Sequence, residues 1–259
     1  MNIERQSIHV WFVCDQQLSC PKLLRDYHSI LNVDELAQYK RFHYDSHRHQ
    51  YLVTRALVKS TLSRYYPQIS PKQWRFNKSR YGKPAILNHV DTPLYFNISH
   101  TNGLVTLALT RENEIGVDIE WTQRHRNIAE VAKHYFSPPE IKALQEMAAP
   151  QRHIYFFELW TLKEAYIKAC GQGMSIPLNQ FHFQRSKQHI DIRYTQPTPL
   201  SNECYQFWQF QFAANYQGAL AIKSKSNSDY HHSLHFKKVV PLTNVEESIN
   251  IPHFPHSFA

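Results

Sequence analysis

Glycine is scarce in this chain, six residues among 259, and fourteen prolines fall without periodicity. That balance excludes collagen-like and linker-like composition. Cysteine is scarcer still: Cys14, Cys20, Cys170 and Cys204 form no CxxC pair and are too few for a disulfide framework in a chain of this length. Reduced, mostly buried thiols are expected. Seventeen histidines are dispersed, without an HExxH motif or paired Cys/His spacing, so nothing marks a zinc site. Long apolar runs are also missing. The longest early one, Val10 to Cys14, breaks at Asp15, too short for a signal peptide or a membrane span, and a cytoplasmic location is expected. The letters show no internal repeat.

What is present fits a globular protein: 42% hydrophobic and 14% aromatic residues, enough for one large domain or two of about 100–130 residues. Two halves are the preferred reading. The net charge of +8 favours anionic partners in general. Nucleic acid, a phosphorylated cofactor and an acidic protein all satisfy it.

His9 to Val13 reads as a first strand, and Ser46 to Tyr65 as a long helix closed by Pro67. On that helix Leu52, Ala56 and Leu62 face inward, and Arg48, Arg55 and Lys59 recur at spacings that keep basic groups together. KSRYGKP (78–84) is a basic turn. In LYFNISH (94–100), Leu94, Phe96 and Ile98 alternate with Tyr95, Asn97 and Ser99, giving a strand with one apolar and one polar face. Leu104 to Thr110 and Ile115 to Trp121 read as two more strands, expected to pair as a hairpin across a charged turn. Ser137-Pro138-Pro139-Glu140 opens a short helix, and a second long helix spans Arg152 to Cys170, stopped by Gly171. Four more strands follow at 181–184, 190–194, 205–213 and 218–222; Lys223 to His232 is loose, and the rest is a peripheral tail.

Four of the six glycines, Gly82, Gly116, Gly171 and Gly173, lie in segments that carry candidate chemistry. In IGVDIE (115–120), Ile115, Val117 and Ile119 project to one side and Gly116, Asp118 and Glu120 to the other. In WTLKEAYIK (160–168), Glu164 and Lys168 stand one turn apart. Asp118, Glu120 and Glu164 offer only hard oxygen ligands, which suit Mg²⁺ and a substrate diphosphate. The plainer alternatives are a solvated hairpin face and an ordinary i,i+4 helix pair. Trp160 and Phe157 read as core.

GVDIE at 116–120 followed by WTLKEAYIK at 160–168 resembles the two-part signature of the 4′-phosphopantetheinyl transferases. The resemblance extends to YGKP (81–84), FNISH (96–100) and GQGMSIPL (171–178), covers residues 30–240 in order, and by length is to the larger surfactin-synthetase-activating type. It implies an α+β fold of two similar subdomains in a pseudo-twofold arrangement. Each would be a small, mainly antiparallel sheet packed with a long helix, with the site in the cleft between them. Residues 1–112 would form the coenzyme A side, 113–240 the carboxylate half, and 241–259 the tail.

The implied reaction moves the phosphopantetheine arm of coenzyme A, the co-substrate, to a serine of an apo acyl or peptidyl carrier protein and releases adenosine 3′,5′-bisphosphate. Asp118, Glu120 and Glu164 match the magnesium-binding carboxylates, and Lys168 the lysine one turn on. Glu164 is the expected proton acceptor, with Glu120 in reserve. Lys168 and Lys83 would meet phosphates, as would Ser99 and His100, and Asn97 of the same strand belongs with them in the cofactor-binding set. Lys78, Arg80 and Arg48 complete the cofactor-binding set, although Lys78 and Arg80 also fit as solvated turn residues. Ahead of the first long helix the family is rich in basic residues, whereas this chain has Glu35, Gln38, Lys40 and Arg41. Arg124, His125 and Arg126 with Ile128 and Val131 resemble a docking region for an acidic carrier. A monomer without nucleic-acid or membrane partners is expected. The competing readings are a metal-dependent phosphodiesterase or nuclease using the same carboxylates and a non-enzymatic nucleic-acid-binding module. No recognised binding motif supports the latter.

Overall fold

Along β1 (Ser7–Val13) every residue is buried, with Trp11 and Val13 packed on one face and Ile8, Val10 and Phe12 on the other. A strand buried on both faces needs a layer on each side. The computed structural model, which describes residues 1–124, 127–186, 189–224 and 232–255, supplies them. On the Trp11 side lies α3 (Asp45–Tyr65), contributing Leu52, Val53, Ala56, Leu57 and Leu62 to the core. On the Phe12 side lies a second sheet, carrying Val117, Ile119, Trp208, Phe210 and Leu220. Beyond that sheet sits α6 (Ala149–Cys170), whose Ala165, Tyr166 and Ala169 pack with Phe207, Ala219 and Ala221. The order of layers is helix, sheet, sheet, helix.

In the first sheet β1 is flanked by β5 (Leu104–Thr110) and β11 (Ser233–Val239), with β4 (Tyr95–Thr101) and β12 (Glu246–Ile249) at the edges. Only the β1–β11 pairing is parallel. The second sheet runs β13 (His253–Phe254), β9 (Cys204–Phe212), β10 (Tyr216–Ser224) and β6 (Ile115–Trp121), all antiparallel. Each half is a small, mainly antiparallel sheet with one long helix, the expected α+β arrangement. Two ribbons complete it: β2 (Phe76–Lys78) with β3 (Pro84–Ile86), and β7 (Phe181–Arg185) with β8 (Ile190–Tyr194).

The halves are not divided as the sequence suggested. Residues 233–239, assigned to the second half without a strand, form β11, which pairs with β1 in the first sheet, and the strands read as a hairpin, β5 and β6, lie in different sheets. The tail from 241 is not peripheral: it gives β12 to the first sheet and β13 to the second, although residues 256–259 lie outside the described set. The reason is backbone bookkeeping, since both flanks of buried β1 need partners and β5 serves only one. Most of the segment read as loose, 225–231, also lies outside the described residues.

Local signals account for the helix ends. Gly171 takes the left-handed conformation (φ 71°) and caps α6. Glu140 accepts from the Ser137 amide (2.9 Å) and hydroxyl (2.8 Å) to start α5 (Pro138–Glu146). The sequence reading passed over α1 (Pro21–Ser29), α2 (Val33–Arg41) and α4 (Ile128–Tyr135), each nine residues or fewer. One signal for α2 was readable: Asn32 and Glu35 form a reciprocal capping box. Arg55 and Lys59 do not form a basic face. Both pair with Glu35, and the fully buried Lys59 also donates to the Ile30 carbonyl (2.7 Å). Among the cysteines, Cys20 is exposed and the other three half-buried.

Small residues let α6 approach β6. A Cβ added at Gly116 would lie 2.5 Å from the Ala169 nitrogen and closer still to the Ala165 carbonyl oxygen. Both obstacles are backbone, so no rotamer relieves the clash. Gly116→Ala should therefore cost about 3 kcal/mol, at the upper end of overpacking effects. Urea unfolding checks this; a loss below about 0.5 kcal/mol, the size of an ordinary surface change, would contradict so close a contact.

Candidate active site

The strand β6 turns Ile115, Val117 and Ile119 toward the first sheet, leaving Gly116, Asp118 and Glu120 facing α6. Gly116 meets Ala165 and Ala169, Asp118 meets Lys168, and Glu120 meets Trp160, so strand and helix run in opposite directions. Trp160, Glu164 and Lys168 recur every four residues on one side of the helix. Half-buried Glu164 thus sits between the two that touch β6.

Asp118 is 5% exposed. Its Oδ1 accepts from Ser99 Oγ (2.8 Å) and Lys168 Nζ (2.6 Å). Lys168 also donates to Ser99 Oγ (3.1 Å) and to the Val117 carbonyl (3.2 Å). Glu120 Oε1 accepts from Trp160 Nε1 (3.2 Å). Trp160, read from the sequence only as core, is half-buried and helps hold a candidate carboxylate. Its spacing of four from Glu164 was the available signal.

The remaining candidates divide. His100 opens on the cleft, a hollow of about 860 Å³ lined also by Asp15, His49, Gln50, Glu120 and Arg124. Although part of His100 reaches water, crowding around its ring and then the Lys168 ammonium push its pKa below the usual imidazole value. Asp15 was not anticipated. It is 4% exposed, its Oδ1 has no hydrogen-bond partner among the described residues, and burial raises its pKa. Lys83 reaches the other end of β6, pairing with Glu114 and donating to the Ala169 carbonyl (3.1 Å) beside a second hollow of about 730 Å³.

Lys78 and Arg80 are exposed on the ribbon, Arg80 lying over Tyr81. Arg48 donates to Asp45 (2.9 Å) and the Phe42 carbonyl (2.9 Å). Asn97, from the same expected set, is buried, and its Oδ1 accepts from the Val117 amide (3.0 Å). Ser99 is likewise engaged with Asp118, Lys168 and Ile119. In the docking segment Arg124 is exposed, Ile128 and Val131 pack partly into the α4–α6 core, and His125 and Arg126 lie outside the described residues.

The three carboxylates are not closed into a ready cluster. Among the described residues, no three His, Cys, Asp or Glu side chains are grouped to hold a metal ion. Carboxylates repel one another without a cation between them, and here Lys168 draws Asp118 toward itself. The donor set nonetheless fits magnesium. All the ligands would be hard oxygens, and Asp118 Oδ2 is buried without a hydrogen-bond partner among the described residues. An acceptor left bare in that position is suited to a cation.

Comparison with known proteins places this geometry. Residues 20–112 match the model of the 4′-phosphopantetheinyl transferase N-terminal domain, and residues 114–221 that of the 4′-phosphopantetheinyl transferase superfamily. The chain is 33% identical to the 4′-phosphopantetheinyl transferase HetI of Nostoc sp. over 65% of its own length and 70% of that protein. It is 35% identical to Sfp of Bacillus subtilis (59% of this chain, 66% of that one). It is 31% identical to AcpT of Escherichia coli O157:H7 (60% and 78%). Since the carboxylate strand and its partner helix lie within one matched segment, and the basic turn and His100 strand within the other, the chain belongs to the 4′-phosphopantetheinyl transferase superfamily.

Proposed function

We propose that this protein transfers the 4′-phosphopantetheine group of coenzyme A to a serine hydroxyl of an apo acyl or peptidyl carrier protein. The observation that carries the reading is the Asp118–Lys168–Ser99 constellation beside Glu120 and Glu164, with the acids and the lysine inside one matched segment and Ser99 inside the other. Asp118, Glu120 and Glu164 would hold Mg²⁺, which when bound neutralises diphosphate oxygens. The serine oxygen attacks the phosphorus bearing the pantetheine arm. The bond to the bridging oxygen breaks, and adenosine 3′,5′-bisphosphate leaves with that oxygen.

Glu164 takes the serine proton, with Glu120 in reserve. Lys168 lends its charge to the phosphate groups while steadying Asp118. His100, Lys83, Lys78, Arg80 and Arg48 supply donors along the coenzyme A phosphates. Asn97 and Ser99 act by holding β6. An acidic carrier meets the basic Arg124 end of the cleft, with the partly buried Ile128 and Val131 as its apolar contact.

Both halves lie in one chain, which supports the larger surfactin-synthetase-activating type acting as a monomer. No helix among the described residues is long and apolar enough to cross a membrane. Neither membrane nor nucleic acid is a partner in this reading, and the reaction is placed in the cytoplasm. Incubation with coenzyme A, Mg²⁺ and an apo carrier domain, followed by mass spectrometry, tests it. The expected result is a carrier heavier by one phosphopantetheine. An unmodified carrier, with nicked or merely bound nucleic acid in a parallel reaction, would replace the transferase with one of the alternatives.

A further inference from the structure

We infer that Thr101 is a positioning residue for the metal-binding carboxylates, acting as the last rung of a side-chain ladder that holds β6. The inference rests on the magnesium reading of Asp118, Glu120 and Glu164. β6 is an edge strand: one flank pairs with β10 from Ile115↔Ile222 to Trp121↔Tyr216, and along the other no strand among the described residues forms a backbone ladder with it. β4 is likewise an edge of the first sheet. The two edges meet through side chains rather than by strand pairing. Asn97 Oδ1, Ser99 Oγ and Thr101 Oγ1 accept from the amides of Val117 (3.0 Å), Ile119 (3.3 Å) and Trp121 (3.0 Å).

A period of two on both strands makes the rungs match, because alternate side chains on β4 and alternate amides on β6 point the same way. Each rung spans 20 residues. The hydroxyl rungs also have a proton to give. Ser99 donates to Asp118 (2.8 Å), and Thr101 to Glu120 Oε2 at the long limit of 3.5 Å, each spanning 19 residues. The corresponding neighbour of Asn97 is Gly116, which has no side chain to receive one. Amide capping therefore runs along the whole strand, while hydroxyls stand only where a carboxylate must be aimed. A one-residue slip would turn Asp118 and Glu120 toward the apolar sheet interface.

Thr101→Val keeps the shape and removes both functions of the hydroxyl; Thr101→Ser keeps both. Binding of Mn²⁺ as a magnesium probe, read by the loss of the free-ion electron paramagnetic resonance signal, separates them without measuring turnover. Thr101→Val should weaken Mn²⁺ binding about tenfold, the effect of losing an outer-shell partner, and Thr101→Ser should stay within about twofold. Near-ultraviolet circular dichroism of both variants should match the parent protein. The inference is overturned if Thr101→Val binds as the parent does, or if Thr101→Ser fails equally. A parent protein that neither binds Mn²⁺ nor requires Mg²⁺ for transfer would remove the metal reading itself, and the inference with it.

Discussion

Asp118→Asn should leave a folded protein whose kcat/KM for carrier modification is lower by about a thousandfold, equivalent to about 4 kcal/mol of lost transition-state stabilisation. Asparagine preserves the shape and an oxygen for the Ser99 hydroxyl. It removes the negative charge opposite Lys168 and replaces the bare buried acceptor with an amino group or exchanges the two positions. Either orientation denies a cation one of its oxygens and leaves the Lys168 charge, 26% exposed, without its closest counter-ion. Transfer rates at saturating Mg²⁺ with coenzyme A and an apo carrier provide the measurement, alongside a thermal melt. Turnover within tenfold of the parent would take Asp118 out of the reaction.

Lys163→Met is expected to produce the largest loss of stability. Lys163 is fully buried beside the site helix, and its three protons have three acceptors: Glu140 Oε2 (2.9 Å) and the carbonyls of Leu178 (2.8 Å) and Phe181 (2.8 Å). The ammonium also lies 4.3 Å from the centre of the Phe181 ring. Burial lowers its pKa to about 8, with Glu140 opposing the shift. Removing the charge strands Glu140, 3% exposed, and two carbonyls, at a cost of about 3–5 kcal/mol. Denaturant midpoints check the figure. The double change Lys163→Met with Glu140→Gln should recover part of the loss, because the uncompensated charge is then gone. A single variant as stable as the parent would mean that this lysine does not clamp α5 and the 178–181 turn to α6.

Much of the candidate site was legible in local patterns. Alternation in IGVDIE put the carboxylates and Gly116 on one face, and the structure keeps that division. The polar face of FNISH was equally readable, but its purpose was not. Asn97 and Ser99 read as ligand contacts, and both also accept from a strand 20 residues away, with Ser99 donating to Asp118 as well. Nothing local distinguishes those uses. Lys59 and Arg55 looked like part of a basic face because spacing reveals which side chains are neighbours, not that Glu35 on another helix meets both.

The placement of β11 and the tail failed for a related reason. Parallel pairing of β1 with a segment more than 200 residues away leaves no short-range signature. Residue order, by contrast, was sufficient for the two long helices, the capping of α6 by Gly171, the two-sided character of β6 and the family resemblance, because each depends on neighbours within a few positions. Contact between distant segments decided which acids meet Lys168, why Trp160 belongs to the site, and how two sheet edges join through side chains. Those outcomes depend on which buried polar groups can find partners once the layers close, a condition that exists only in the assembled chain.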